Sequence, residues 1–158
     1  MTSTDDAMGL LTVNGAELYH EVRGAGPPVL LIMGATGDGG HLHGLAELLA
    51  DEFTVITYDR RGNGRSPRPL GWNTTSNAEQ VDDAAALLRC IGLAPAVVFG
   101  TSLGAIYALD LLIRHPDVVR GAILHEPPLY GCSTILNRCS RRLRRNSVRR
   151  WRPAVHRQ

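Results

Sequence analysis

The chain has no lysine: all 17 of its Lys-plus-Arg positions, among 158 residues, are arginine. A phosphate loop that needs a lysine is therefore excluded before any glycine-rich stretch is weighed. Cysteine is scarce as well. Cys90, Cys132 and Cys139 are odd in number and follow no metal-ligand spacing. Neither a disulfide framework nor a metal site is expected from them, and no cofactor is implied. Free thiols are the expectation, with Cys90, inside a helical apolar stretch, placed in the core. No apolar run reaches the roughly 20 residues of a membrane span. The N-terminal MTSTDDAMG is acidic and lacks the basic-then-apolar order of a secretory signal. With 44% hydrophobic residues and a mean hydropathy of −0.08, the composition suits one soluble globular domain, and a cytoplasmic location is expected.

Acid is missing from one end of the chain. Residues 1–130 hold all 15 Asp and Glu together with 8 Arg, whereas residues 131–158 hold 9 Arg and no acid. Two compositions meet near residue 130, so the chain divides into a domain part, 1–130, and an Arg-rich tail, 131–158. In the tail, Ile135, Cys139, Leu143, Trp151 and Val155 fall at multiples of four, which permits a short basic amphipathic helix. Such a patch would suit nucleic acid or an anionic membrane. An Arg-rich, acid-free end is also what an out-of-frame reading of a GC-rich coding sequence produces. The second reading is preferred: the tail is expected to be disordered or out of frame, and nucleic acid is not an expected partner.

The stretch around which the domain part is organised is Ala96–Asp110, AVVFGTSLGAIYALD. Val97, Val98 and Phe99 have the apolar, β-branched and aromatic character of a buried parallel strand. Gly100-Thr101-Ser102-Leu103-Gly104 follows, and Ala105, Ile106, Ala108, Leu109, Leu111 and Leu112 continue with the apolar cover of a helix. Strand, G-x-S-x-G and helix together form the pattern of a nucleophile elbow. The serine of such a turn stands above the sheet, and side chains two residues to either side would collide with the turn. The amides that open the helix, with its positive dipole end, face charge developing at the serine.

Taken in order, Leu10–Val13 and Ala16–Val22 flank Asn14-Gly15, a strong hairpin signal. Val29–Ile32 is a buried strand, His43–Ala50 a helix, and Phe53–Tyr58 another strand. Ser76 or Asn77 opens a helix running to about Ile91, with Glu79 placed for a capping box and Val81, Ala84, Ala85, Leu88 and Ile91 as its core stripe. The elbow helix runs to about His115 with Pro116 as its stop, and Gly121–Leu124 is the last strand. Strands alternating with helices predict an α/β fold: a mainly parallel sheet with helices on both faces. The turns after Ile32, Tyr58 and Phe99 all lie at strand carboxyl ends, where such sheets bind ligands.

Residues 10–130 resemble the N-terminal half of an α/β-hydrolase-fold enzyme of the bacterial esterase, lipase and epoxide-hydrolase kind. LLIMGATG, YDRRGNGRS, FGTSLG and LHEPP carry the resemblance, in that order. It implies a serine hydrolase acting on a small ester-like or related acyl substrate, with Ser102 as nucleophile. Leu103 matches the residue whose backbone amide forms half of the oxyanion hole. The second amide belongs to the loop after the third strand, where relatives usually show His-Gly-x; here Met33-Gly34-Ala35 stands there, and Ala35 is the implied donor. The loop beginning Asp59-Arg60-Arg61-Gly62 matches one whose role is mainly structural, so a catalytic Asp59 is not expected.

A serine nucleophile needs a base and a carboxylate to hold that base. In this fold the order is Ser, then acid, then His. Relatives usually place the acid after the seventh strand and the His after the eighth, whereas this fold is expected to be truncated after its sixth. Glu126 is the candidate acid, against the plainer reading of a loop carboxylate fixed by Pro127 and Pro128. Among His20, His41, His43, His115, His125 and His156, none is a convincing base. The expectation is an inactive or weak form of a serine hydrolase; the alternative is a catalytically dead fragment whose basic tail binds nucleic acid or an anionic membrane. The apolar edge at Gly121–Leu124 is expected to promote self-association.

Overall fold

The computed structural model describes residues 7–128. The tail 131–158, with Cys132, Cys139 and His156, lies outside the described residues. Strands β1 (Ala7–Val13) and β2 (Ala16–Arg23) form an antiparallel hairpin. Its turn has φ of 47° at Asn14 and 73° at Gly15, the pair of positive values that a tight two-residue hairpin demands. Next come β3 (Pro28–Ile32), a short 3-10 turn (Gly39–Leu42), α1 (His43–Leu49) and β4 (Thr54–Tyr58). They are followed by α2 (Asn77–Cys90), β5 (Ala96–Thr101), α3 (Leu103–Arg114) and β6 (Val119–His125).

The six described strands lie in one sheet in the order β1-β2-β4-β3-β5-β6. The pairs β1–β2 and β2–β4 are antiparallel; β4–β3, β3–β5 and β5–β6 are parallel. From β3 the chain steps to β4 on one side and then crosses to β5 on the other. That reversal opens a crevice beyond the carboxyl ends of β3 and β5. The α/β class and the helices on both faces follow the sequence expectation.

Alternation along the central strands splits the core in two. Leu30, Ile32, Ile56 and Val98 face Val81, Ala84, Leu88, Ala108 and Leu111 of α2 and α3. Val29, Leu31 and Val55 face Leu42 and Ala46, beside α1. Among the described residues no helix is long and apolar enough to cross a membrane.

Helix α2 departs from expectation in two details. Cys90 is exposed, not in the core. The buried stripe Val81-Ala84-Ala85-Leu88 continues at helical spacing to Ile91, and Cys90 falls on the solvent side of it. Only half of the capping box forms: the Glu79 amide donates to Ser76 Oγ at 3.1 Å. The Glu79 carboxylate instead accepts from Trp72 Nε1 at 3.0 Å and pairs with Arg61 at 3.1 Å. Arg61 also makes a bidentate pair with buried Asp83, both bonds 2.8 Å, and donates to the Asn14 carbonyl at 3.0 Å. The pair thus ties the hairpin turn to α2, and its satisfied hydrogen bonds offset the cost of burying two charges.

On β2, Glu21 receives Arg65 and Arg23. Burial raises its pKa, but the Arg65 hydrogen bond and both guanidinium charges outweigh that and hold it below its ordinary 4.5. A lowered carboxylate contributes stability that is present above the unfolded-state value and lost as pH falls through the folded one. Replacing Glu21 by Gln is therefore expected to cost about 1.5–3 kcal/mol at neutral pH. In thermal melts across pH the deficit should shrink towards zero as pH falls below the ordinary carboxylate range. A deficit independent of pH would assign the effect to packing.

Candidate active site

Strand β5 ends at Thr101 and α3 begins at Leu103, leaving Ser102 alone on the turn between them. Its φ of 53° and ψ of −124° are strained for any residue with a side chain. The turn is over-determined around it. The Ser102 amide donates to the His125 carbonyl of β6 at 2.9 Å, and the Ser102 carbonyl accepts from the Ala105 amide at 3.0 Å. A Cβ on Gly100 would run into the Gly104 carbonyl, and one on Gly104 into the carbonyls of Ile32 and Met33. The elbow backbone therefore lies directly against the end of β3. Ser102 is exposed at the top of the sheet.

The loop after β3 closes on the serine from the other side. A Cβ on buried Gly34 would sit 3.0 Å from Ser102 Cβ and 3.4 Å from Ser102 Oγ. Ala35 follows it, exposed, and Leu103 stands half-buried as the first residue of α3. Ser102, the peptide at Gly34–Ala35 and the start of α3 thus lie close together.

Arg60 holds this loop, and sequence reasoning missed its part. Its Nη2 reaches the carbonyl oxygens of Gly34 at 2.5 Å and Ala35 at 2.8 Å, with that of Gly37 at 3.5 Å. The guanidinium carbon lies 5.3 Å from the Tyr107 ring centre. The available signal was a run of three charged residues, Asp59-Arg60-Arg61, directly after a wholly buried strand, where a charge is buried only for a reason. Asp59 is fully buried and structural. It accepts from the Gly39 amide at 2.8 Å, the Arg65 amide at 2.7 Å and Arg65 Nε at 2.8 Å, pinning the far end of the same loop. Burial pushes the Tyr58 phenol, at the end of β4, well above its ordinary value, so it is neutral at physiological pH.

Among the described residues, no hydrogen bond joins the candidate acid or a histidine ring to the Ser102 hydroxyl. Glu126 is exposed with φ of 48°, and it makes no hydrogen bond or ion pair with a described residue. His125 Nδ1 lies 2.9 Å from Thr101 Oγ1, and its ring stacks on Phe99 at 6.2 Å. His41 pairs with Asp38, His43 with Glu47 and His115 with Asp82. No described residue hydrogen-bonds the Ser102 hydroxyl, and His156 lies outside the described residues. Also among the described residues, no three His, Cys, Asp or Glu side chains gather as metal ligands.

The elbow packing makes a direct contrast. Gly104→Ala forces a methyl into the Ile32 carbonyl and should cost about 1–3 kcal/mol or more. Gly44→Ala, in α1 with open space around it, should gain about 0.5–1 kcal/mol. Denaturant unfolding of the two variants beside the parent chain measures both; equal effects would mean that the elbow does not press on β3.

A family model described as the alpha/beta hydrolase fold matches residues 27–151. The uncharacterized hydrolase YraK of Bacillus subtilis (strain 168) is 46% identical over 124 residues, which are 77% of this chain and 45% of that protein. Among solved structures, E-2-(acetamidomethylene)succinate hydrolase superposes with a TM-score of 0.70 at 28% identity, covering 75% of this chain and 44% of the other. The N-formylmaleamic acid deformylase of Pseudomonas putida S16 gives a TM-score of 0.70 at 31% identity, with coverages of 78% and 48%. This chain spans less than half the length of each of these relatives. With the matched segment covering most of its length, the chain belongs to the alpha/beta hydrolase fold family.

Proposed function

We propose that this chain carries the nucleophile and the oxyanion-stabilising part of a serine hydrolase for small ester-like or related acyl substrates. The observation that carries the reading is the strained, exposed Ser102 with Gly34 packed against its Cβ. A carbonyl carbon attacked by Ser102 Oγ would place its developing oxyanion between the Ala35 and Leu103 amides, with the N-terminal end of α3 behind it. Relatives named for hydrolysing a succinate derivative and for deformylation support a small acyl substrate.

The proton is the weak point. Ser102 has no described base, so its hydroxyl has nothing to accept its proton at the moment of attack. In a well-studied serine protease, loss of triad members costs about 10⁴–10⁶ in turnover, and what remains comes from the oxyanion hole and binding. Nitrophenyl acetate should accordingly be hydrolysed slowly, and a fluorophosphonate probe should label the chain slowly and incompletely. Ser102→Ala should remove the residual signal. Rapid stoichiometric labelling lost in Ser102→Ala would overturn the weak-form reading and make His125, with Glu126, the next residues to substitute.

Self-association through β6 belongs to the same proposal. Among the described residues β6 is the last strand of the sheet, and Ile123 and Leu124 on it are 56% and 37% exposed. An apolar edge of this kind offers its unpaired backbone to a second copy. Light scattering should show association that rises with concentration and weakens in Ile123→Lys. A monodisperse monomer at all concentrations would sink the idea.

A further inference from the structure

We propose that Arg60 is a positioning residue that polarises the oxyanion donor, an inference that rests on the hydrolase reading above. The Gly34 carbonyl, which accepts from Arg60 Nη2 at 2.5 Å, belongs to the same peptide unit as the Ala35 amide. That peptide is trans, so its N–H points away from its C=O, and Arg60 pulling on the oxygen sets the direction of the donor. A cation on the carbonyl also withdraws electron density from the nitrogen, which strengthens the N–H as a donor. The second bond, to the Ala35 carbonyl at 2.8 Å, holds the next peptide.

The charges around Arg60 distinguish this role from simple loop support. Arg61 and Arg65 both meet carboxylates. Arg60 is 4% exposed, its Nε has no hydrogen-bond partner, and no carboxylate among the described residues pairs with it. Its charge is spent on carbonyl dipoles and on the Tyr107 ring. A buried cation without a counter-ion is costly. The charge that would complete it is the oxyanion, which exists only in the transition state, and interactions that strengthen there raise turnover and leave substrate binding alone.

Amide hydrogen exchange at Ala35 tests the proposal independently of turnover. Polarisation makes the amide more acidic, so Arg60→Met should slow its base-catalysed exchange, by about tenfold for one unit of amide acidity. Arg60→Lys should restore most of the rate. Loss of mere loop support would do the opposite and speed exchange, and a faster or unchanged rate overturns the proposal. Should Arg60→Met fail to fold, the parent chain serves: the Ala35 amide should reach its exchange minimum at a lower pH than the exposed Gly15 amide, and coincident minima overturn the proposal. With nitrophenyl acetate, measured above the Ser102→Ala background, Arg60→Met should lower kcat about 10²-fold with KM nearly unchanged. A KM effect with kcat intact also overturns it. Absence of any turnover in the parent chain would count against the hydrolase reading alone, since the exchange result stands without it.

Discussion

The close approach of two backbones, the elbow on one side and the end of β3 on the other, is the constraint from which the rest of the site follows. Gly104 has no room for a side chain because the carbonyls of Ile32 and Met33 occupy that space, and Gly100 is closed in turn by Gly104. With those two positions collapsed, α3 starts one residue after the serine, and the loop leaving β3 has nowhere to go but past Ser102 Cβ. The strain at Ser102 is held by main-chain bonds to β6 and α3 and by this packing. Removing either glycine would move the serine and the loop together.

The short stretch after β4 distributes electrostatic support from that point. Asp59 turns inward to the amides of Gly39 and Arg65, Arg60 to the carbonyls of the loop after β3, and Arg61 to Asp83 and the hairpin turn. Three consecutive charged residues thus fix three separate segments around the crevice. Each is almost wholly buried and each has a different main set of partners: backbone amides and the Arg65 guanidinium for Asp59, backbone carbonyls for Arg60, and the Asp83 carboxylate for Arg61. This is why the stretch is structural without being inert, and why Arg60, the member with no counter-ion among the described residues, is the one tied to the chemistry.

What was legible in the sequence is what depends on local chain chemistry. Asn14-Gly15 demanded a hairpin, the apolar runs demanded buried strands, and the G-x-S-x-G turn could be placed because glycine spacing and steric exclusion act within five residues. Illegible features depend on partners distant in the chain. Glu79 left its capping box because Arg61 and Trp72 compete for the same carboxylate. Cys90 is a local exception: its neighbours in sequence are apolar, but the stripe Val81-Ala84-Ala85-Leu88-Ile91 leaves it on the solvent side of the last turn. Arg60 could not be assigned, since its carbonyl acceptors lie in a loop whose position is set by the sheet order and not by the spacing of any motif.

The same distinction explains why, for the proposed reaction, the described residues supply main-chain donors beside Ser102 and no side-chain base. In the proposed reaction the oxyanion donors are main-chain groups of segments that the sheet brings together at its reversal, so they need only β3, β5 and the elbow. A base must arrive as a side chain, from a segment whose register the elbow does not control. His125 shows the difference within one residue. Its carbonyl accepts from the Ser102 amide and so helps fix the elbow turn, while its ring is held by Thr101 and Phe99 on the sheet face that α1 partly covers. In β6 the backbone of His125 serves Ser102 and its imidazole does not.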